Sequence, residues 1–244
     1  LDALGQVNRI VAVSGIDYVS NPYILAHKDS IKDMGPEMNY ELLLGLKPDI
    51  VLLYGIGDAQ TAITDKLKEL SIPYIYMGEY LEESPLGKAE WMVVLSELTD
   101  SREKGIEIFS EIPKRYLSLK ALTESVGQCP TVMFNMPWND SWVMPSTKSY
   151  MAQLVADAGA EYIYKENSSN SSTPIGLETA YGLIQKADYW INVGSATSLD
   201  ELKTVNPKFA DAKAVRERTV YNNNLRLTPT GGNDYWESAV VHPD

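Results

Sequence analysis

The stretch KPDIVLLYGIGDAQ, Lys47 to Gln60, runs an apolar segment into a Gly-x-Gly turn. That is how a strand hands a phosphate to the N-terminus of the next helix. The glycines are incomplete for that chemistry. Gly55, Gly57 and Gln60 give G-x-G-x-x-Q, no Walker lysine occurs, and the loop gains no cation to hold a polyphosphate. Other reactive sets are equally thin. Two histidines, His27 and His242, are too few for a zinc or manganese centre and leave little for a triad, and no G-x-S-x-G elbow is present. The single Cys129 cannot close an intrachain disulfide and fits a strand position better than a nucleophile's. The residues therefore argue against a nucleotide enzyme, an α/β hydrolase and a zinc or manganese carrier. With 33 acidic against 21 basic residues, net −12, they also exclude nucleic acid as a partner.

The elements around that stretch alternate. Strands are predicted at Arg9 to Ser14, Ile50 to Tyr54, Tyr74 to Met77, Thr131 to Phe134, Tyr189 to Val193 and Thr219 to Tyr221. Helices are predicted near Tyr40 to Leu46, Thr61 to Leu70, Tyr150 to Ala158 and Leu177 to Lys186. From Leu86 to Val126 apolar residues recur at helical spacing with no strand signal. Asp100 and Glu103 are placed as a capping box there, and Pro113 as a kink or first-turn residue. The expected fold is α/β, with two βα lobes on largely parallel sheets joined by a long helical spine: 1–85, 86–127 and 128–244. No apolar run reaches the roughly 18 residues of a membrane span. The chain opens and closes mid-pattern, so both ends are expected to be truncated.

The two lobes echo each other. NYELLLGLKPDIVLLYG, Asn39 to Gly55, aligns with GLETAYGLIQKADYWINVG, Gly176 to Gly194. Glu41 matches Glu178, Gly45 matches Gly182, Lys47 matches Lys186, Asp49 matches Asp188 and Gly55 matches Gly194. Each half becomes a β-α-β-α-β unit, and a cleft lined by the loops after the strands is the expected ligand site. Each glutamate, taken alone, needs no more explanation than a favourable place in a helix first turn.

These segments, together with IPYIYMGEYLEESPLGKAEWMVVLSELTDSREKG and GGNDYWESAVVHPD, resemble the class III periplasmic binding proteins, in order and over nearly the whole chain. That resemblance implies a non-enzymatic, monomeric protein, periplasmic or lipid-anchored outside the membrane of a bacterium. It would deliver a ferric siderophore, haem or cobalamin to the permease dimer of an ABC importer. Glu41 and Glu178 then become the residues that dock on permease arginines. No cofactor is implied; iron or cobalt belongs to the ligand.

A large, flat or chelated ligand calls for aromatic walls and a few polar fingers. Loops after strands offer Ser14, Tyr18, Tyr54 and Tyr80 in the first lobe, and Trp138, Trp142, Arg226, Tyr235 and Trp236 in the second. Trp91 and Trp190 are assigned to the core. Arg226 suits a carboxylate or an anionic siderophore. Tyrosinate ligation by Tyr18, Tyr54 or Tyr80 stays open, as does a sensory or glycan-adhesion module built on the same lobes. Three Asn-x-Ser triplets, at Asn139, Asn167 and Asn170, are compatible with secretion in a eukaryote, although such short triplets also arise by chance.

Overall fold

A computed structural model describes residues 1–55 and 60–244, the side chain of Gln60 apart. It contains two compact units. The first comprises Leu1–Glu82, Lys88–Phe109 and Leu227–Val241; the second comprises Glu83–Gly87, Ser110–Arg226 and His242–Asp244.

In the first unit β1 (Ala12–Val13) pairs in parallel with β2 (Lys32–Asp33), and β3 (Val51–Tyr54) in parallel with β4 (Tyr74–Met77). Two small cores back them. Ile16, Ile24 and Ile31 fill one; Leu43, Leu53 and Leu67 fill the other. Leu43 comes from the helix Tyr40–Leu46 and Leu67 from the helix Gln60–Glu69, so each βα step buries one apolar stripe on its own strand. β2 has no sequence signal because Lys32 and Asp33 are both exposed. The segment after Arg226 belongs to this first unit, whereas its Tyr235 and Trp236 were expected on the second. Glu237 accepts a hydrogen bond from the Ser20 amide at 2.7 Å, and Thr230 donates to the Asp17 carbonyl.

The second unit holds a four-stranded parallel sheet of order β11-β10-β5-β8. Its strands are β5 (Thr131–Phe134), β8 (Glu161–Tyr162), β10 (Tyr189–Ile191) and β11 (Val220–Tyr221). A three-stranded antiparallel sheet, β6 (Pro137–Trp138), β7 (Ser141–Met144) and β9 (Thr173–Gly176), adds to it. One core serves both, with Phe134, Trp142, Met144, Ile184 and Trp190 fully buried.

Helix ends explain the short αβ returns. Ser71, Gly159 and Arg218 take left-handed backbone, and each is followed by an amide that reaches back five residues: Ile72 to Leu67, Ala160 to Val155 and Thr219 to Ala214. This is the Schellman closure, and a strand begins within three residues each time. Asp100 adopts the same conformation, with Ser101 N–H bonded to the Ser96 carbonyl at 2.8 Å. It therefore terminates the helix Pro85–Leu98 and does not cap the next, which starts at Arg102. Asp, with its short polar side chain, tolerates this region better than most residues.

The helix Arg102–Thr123 is 22 residues long and carries Pro113 in its interior, not in its first turn. Up to Phe109 it belongs to the first unit and from Ser110 to the second. Within the second unit, Tyr116 donates to Asp157 at 2.6 Å and Lys120 pairs with the same carboxylate at 2.6 Å.

Asp188 gives one half of the repeat a structural role. Its carboxylate accepts from the Thr131 amide at 2.7 Å and hydroxyl at 2.9 Å, joining the starts of β10 and β5, and it pairs with Lys213 at 2.5 Å. Lys213 first, and the Thr131 bonds next, hold its pKa down at about 2. A depressed carboxylate adds stability that is complete above its unfolded pKa of about 3.9 and is lost as pH falls through the folded value. The acid limb of the second unit's unfolding should therefore include a Asp188 component between about pH 4 and pH 2. Asp188→Asn should flatten that part of the limb in a denaturation series; an unchanged limb would count against the assignment.

Candidate functional site

Glu41 and Glu178 occupy the same place in their helices. Each is the second helical residue, after Asn39-Tyr40 in one unit and Gly176-Leu177 in the other. Asn39 caps its helix by accepting from the Leu42 amide at 3.0 Å, whereas Gly176 offers no side chain. Both glutamates are exposed, and neither makes an ion pair or hydrogen bond among the described residues. The helix dipole favours a carboxylate there and leaves its oxygens available.

The first unit gathers most of the aromatic candidates. Tyr54, at the end of β3, lies against Tyr80 with ring centroids 4.4 Å apart, and the Tyr80 hydroxyl donates to the Gly55 carbonyl at 2.5 Å. Burial chiefly, then the Glu79 carboxylate and then Tyr80, push the Tyr54 phenol up to about 12. Tyr54 therefore stays protonated at neutral pH, and Tyr80 has spent its O–H on the backbone. Glu79 is a participant sequence reasoning missed: its Oε2 is buried with no hydrogen-bond partner among the described residues. Burial lowers the pKa of Lys88, and Glu79 opposes that shift. The only hint in sequence is an acid set among aromatics in MGEYLEE.

Tyr18 is exposed beside the returning segment, where Tyr235 and Trp236 meet edge to face at 4.8 Å. Ser14 is occupied: its hydroxyl donates to the Gly35 carbonyl at 2.5 Å, and Asp33 accepts from the Gly15 and Gly35 amides at 2.9 Å each. Ser14 thus helps shape the loop that carries Tyr18.

The second unit separates its two tryptophan candidates. Trp138 is 75% exposed; Trp142, four residues on, is 0% exposed. The Asn and Asp between them make a hairpin turn, with Asn139 in left-handed backbone, and not a long loop. Trp142 faces inward on β7, donates to the Phe134 carbonyl at 2.7 Å and packs on Trp190 and Phe209. It has no surface with which to touch a ligand. Arg226 is exposed at the end of this unit. Trp190 is in the core as expected, while Trp91 is half-buried and donates to Glu82 at 3.0 Å.

The glycines that open the phosphate-loop question serve packing and backbone. A Cβ on Gly55 would stand 3.2 Å from the Tyr76 ring and 3.4 Å from the Tyr80 hydroxyl. Gly194 sits at φ +65°, which a side chain strains. Gly57 lies outside the described residues. Among those described, no three His, Cys, Asp or Glu side chains converge as for a metal ion, and no helix is long and apolar enough to cross a membrane.

Parallel βα steps in two compact units, with a 22-residue helix contributing to both, define an α/β class of fold. The chain belongs to the periplasmic binding protein family, whose model matches residues 1–224. The family is one of binding proteins, not enzymes. Solved structures with the same fold include the periplasmic heme-binding protein HutB of Vibrio cholerae, with TM-score 0.73 and 16% identity, over 98% of this chain and 90% of that one. The vitamin B12-binding protein BtuF of Vibrio cholerae also matches, with TM-score 0.69 and 16% identity, over 98% and 88%. Among curated proteins, the uncharacterized lipoprotein MJ0878 of Methanocaldococcus jannaschii is 26% identical over 209 residues, 84% of this chain and 48% of its own. The chain spans about half the length of this relative and of the lipoprotein MJ0872.

Proposed function

We propose that this chain captures a metal complex outside the cytoplasmic membrane, an iron complex foremost and a corrinoid second, and presents it to the permease dimer of an ABC importer. The observation that carries this reading is the equal placement of Glu41 and Glu178: second in their helices, exposed, and without ion pairs among the described residues in both halves of the repeat. The family and the lipoprotein names of the relatives support an extracytoplasmic place. The heme- and vitamin B12-binding neighbours support a ligand that is large, flat and metal-bearing.

Tyr54, Tyr80, Tyr18, Tyr235 and Trp236 supply its aromatic contacts. The Tyr80 hydroxyl, already committed to the Gly55 carbonyl, favours stacking by that ring over tyrosinate ligation. Absorbance titration with haemin, cyanocobalamin, and ferric catecholate and hydroxamate chelates should give saturable binding of one of them. Neither haemin nor a ferric chelate should show the new phenolate-to-iron band of tyrosinate ligation. Failure of all four to bind would overturn the reading.

A further inference from the structure

The antiparallel sheet β6-β7-β9 presents an unusual outer face. Residues opposite one another in its register share a side: Trp138, Ser141 and Gly176 in one row, Val143 and Pro174 in the next. Trp142 and Met144, alternating with them, are fully buried. The outward rows therefore expose Trp138, Val143 and Pro174 together. An exposed tryptophan backed by further apolar side chains is a surface that soluble proteins normally cover.

An Asn-x-Ser triplet stands at each end of this sheet. Asn139-Asp-Ser141 forms the β6–β7 turn, where Asn139 is exposed and follows Trp138 directly. Asn170-Ser-Ser172 ends directly before β9, whose first residue, Thr173, pairs with Met144 at the far end of β7. Asn170 and Ser172 are both exposed. The third triplet, Asn167-Ser-Ser169, is built differently. Asn167 is buried, its amide nitrogen donates to the Ser171 carbonyl at 2.8 Å, and its oxygen accepts from the Ser169 hydroxyl at 2.6 Å. The Asn167 nitrogen that a glycosyl transfer would use is thus tied into the loop that leads to β9, whereas at the first triplet only the Ser141 hydroxyl is engaged, with the Trp138 carbonyl at 3.4 Å.

We propose that Asn139 and Asn170 are N-glycosylation sites, that Asn167 is not, and that the attached sugars cover the Trp138–Val143–Pro174 face. In the transfer, the amide nitrogen of Asn attacks the anomeric carbon of a lipid-phosphate-linked oligosaccharide. The bond from that carbon to the phosphate oxygen breaks, the lipid phosphate leaves, and the proton lost by the nitrogen passes to a base on the transferase. No redox partner is needed. The C–H face of a sugar on Asn139 can lie on the neighbouring indole, which accounts for a tryptophan left in water. This rests on the extracytoplasmic part of the proposed function and not on the identity of the ligand. Trp138 then belongs to the glycan face and not to the ligand's contacts.

The test is glycopeptide mass spectrometry on the chain exported by an archaeal host that N-glycosylates its surface proteins, with export scored by protease access on intact cells. Sugar should be found on the Asn139 and Asn170 peptides and not on Asn167. Asn139→Gln and Asn170→Gln should each remove one glycan, as should Ser141→Ala and Ser172→Ala. The Asn139→Gln/Asn170→Gln protein should bind an apolar fluorescent dye several-fold more than the glycosylated one, and Trp138→Ser should cancel the gain. An exported protein with either site empty, or with Asn167 occupied, overturns the assignment. Equal dye binding overturns the covering role; with export supplied by a secretion leader of the host, an exported but unglycosylated protein overturns this assignment alone and leaves the proposed function standing.

Discussion

Replacing Glu41 and Glu178 together by alanine should reduce importer-dependent uptake of the ligand to background while the affinity of the isolated protein for that ligand stays unchanged. Both carboxylates are exposed second-position residues of short helices, so each contributes only a few tenths of a kcal/mol to its helix. Loss of both should therefore leave folding and the aromatic loops intact. Docking is another matter. A carboxylate that pairs with an arginine in a desolvated interface costs about 2–5 kcal/mol when truncated, so two such losses reach a factor of roughly 10³ or more. Each single replacement should fall between the wild type and the double one. Arginine at both positions should be at least as damaging as alanine, through like-charge repulsion. Transport into vesicles bearing the cognate permease, with a parallel ligand titration, separates the two properties. Unchanged uptake by the double replacement would end the docking proposal, and lost ligand affinity would move both residues to the binding site.

The repeat that singles out these glutamates was legible because it rests on short-range pattern. β4 and β5 and the helix Tyr40–Leu46 coincide with their predicted limits, since each is an apolar run closed by Gly, Asn, Pro or Lys. The halves agree in one pairing: β3 with β4 and β10 with β11 are both parallel neighbours. They differ in another: β10 also pairs with β5, whereas β1, the expected counterpart of β5, pairs with β2 and not with β3 among the described residues. What was not legible depended on contacts far apart in the chain. Nothing in GGNDYW says that it returns to the first unit, because that is decided by a glutamate 217 residues from the amide it accepts. Asp100 misleads for a local reason. The Asp-x-x-Glu spacing of a capping box is also what results when an aspartate in left-handed backbone closes the preceding helix, and only the backbone angle distinguishes them. The aromatic candidates were legible as types and not as surfaces. Tyr54 and Trp138 are open, Ser14 is used by its own loop, and Trp142 is core.

Trp142 provides the second large effect. Trp142→Ala should destabilise the second unit by about 3–5 kcal/mol, the range for removing a fully buried large aromatic from a close-packed core. Three losses add up at this position. The indole contacts Trp190 at 5.6 Å and Phe209 at 5.2 Å between ring centroids, it fills space that Ala would leave empty, and its N–H satisfies the Phe134 carbonyl at the end of β5. Trp142→Phe should recover most of the packing and none of the hydrogen bond, leaving a cost of about 1–3 kcal/mol from the unpaired buried carbonyl and the smaller ring. Trp138→Ala, four residues away in the same hairpin, should change stability by less than about 0.5 kcal/mol, as expected for an exposed position. The contrast follows from the strand period alone. In SWVM, Trp142 and Met144 point inward while Ser141 and Val143 point out, an alternation that the flanking Asn and Asp obscured by suggesting a loop. Urea denaturation of the three variants measures the difference. If Trp138→Ala proved as costly as Trp142→Ala, the hairpin would have to sit one residue out of register, and a slip of that size would turn every side chain of the sheet to its other face.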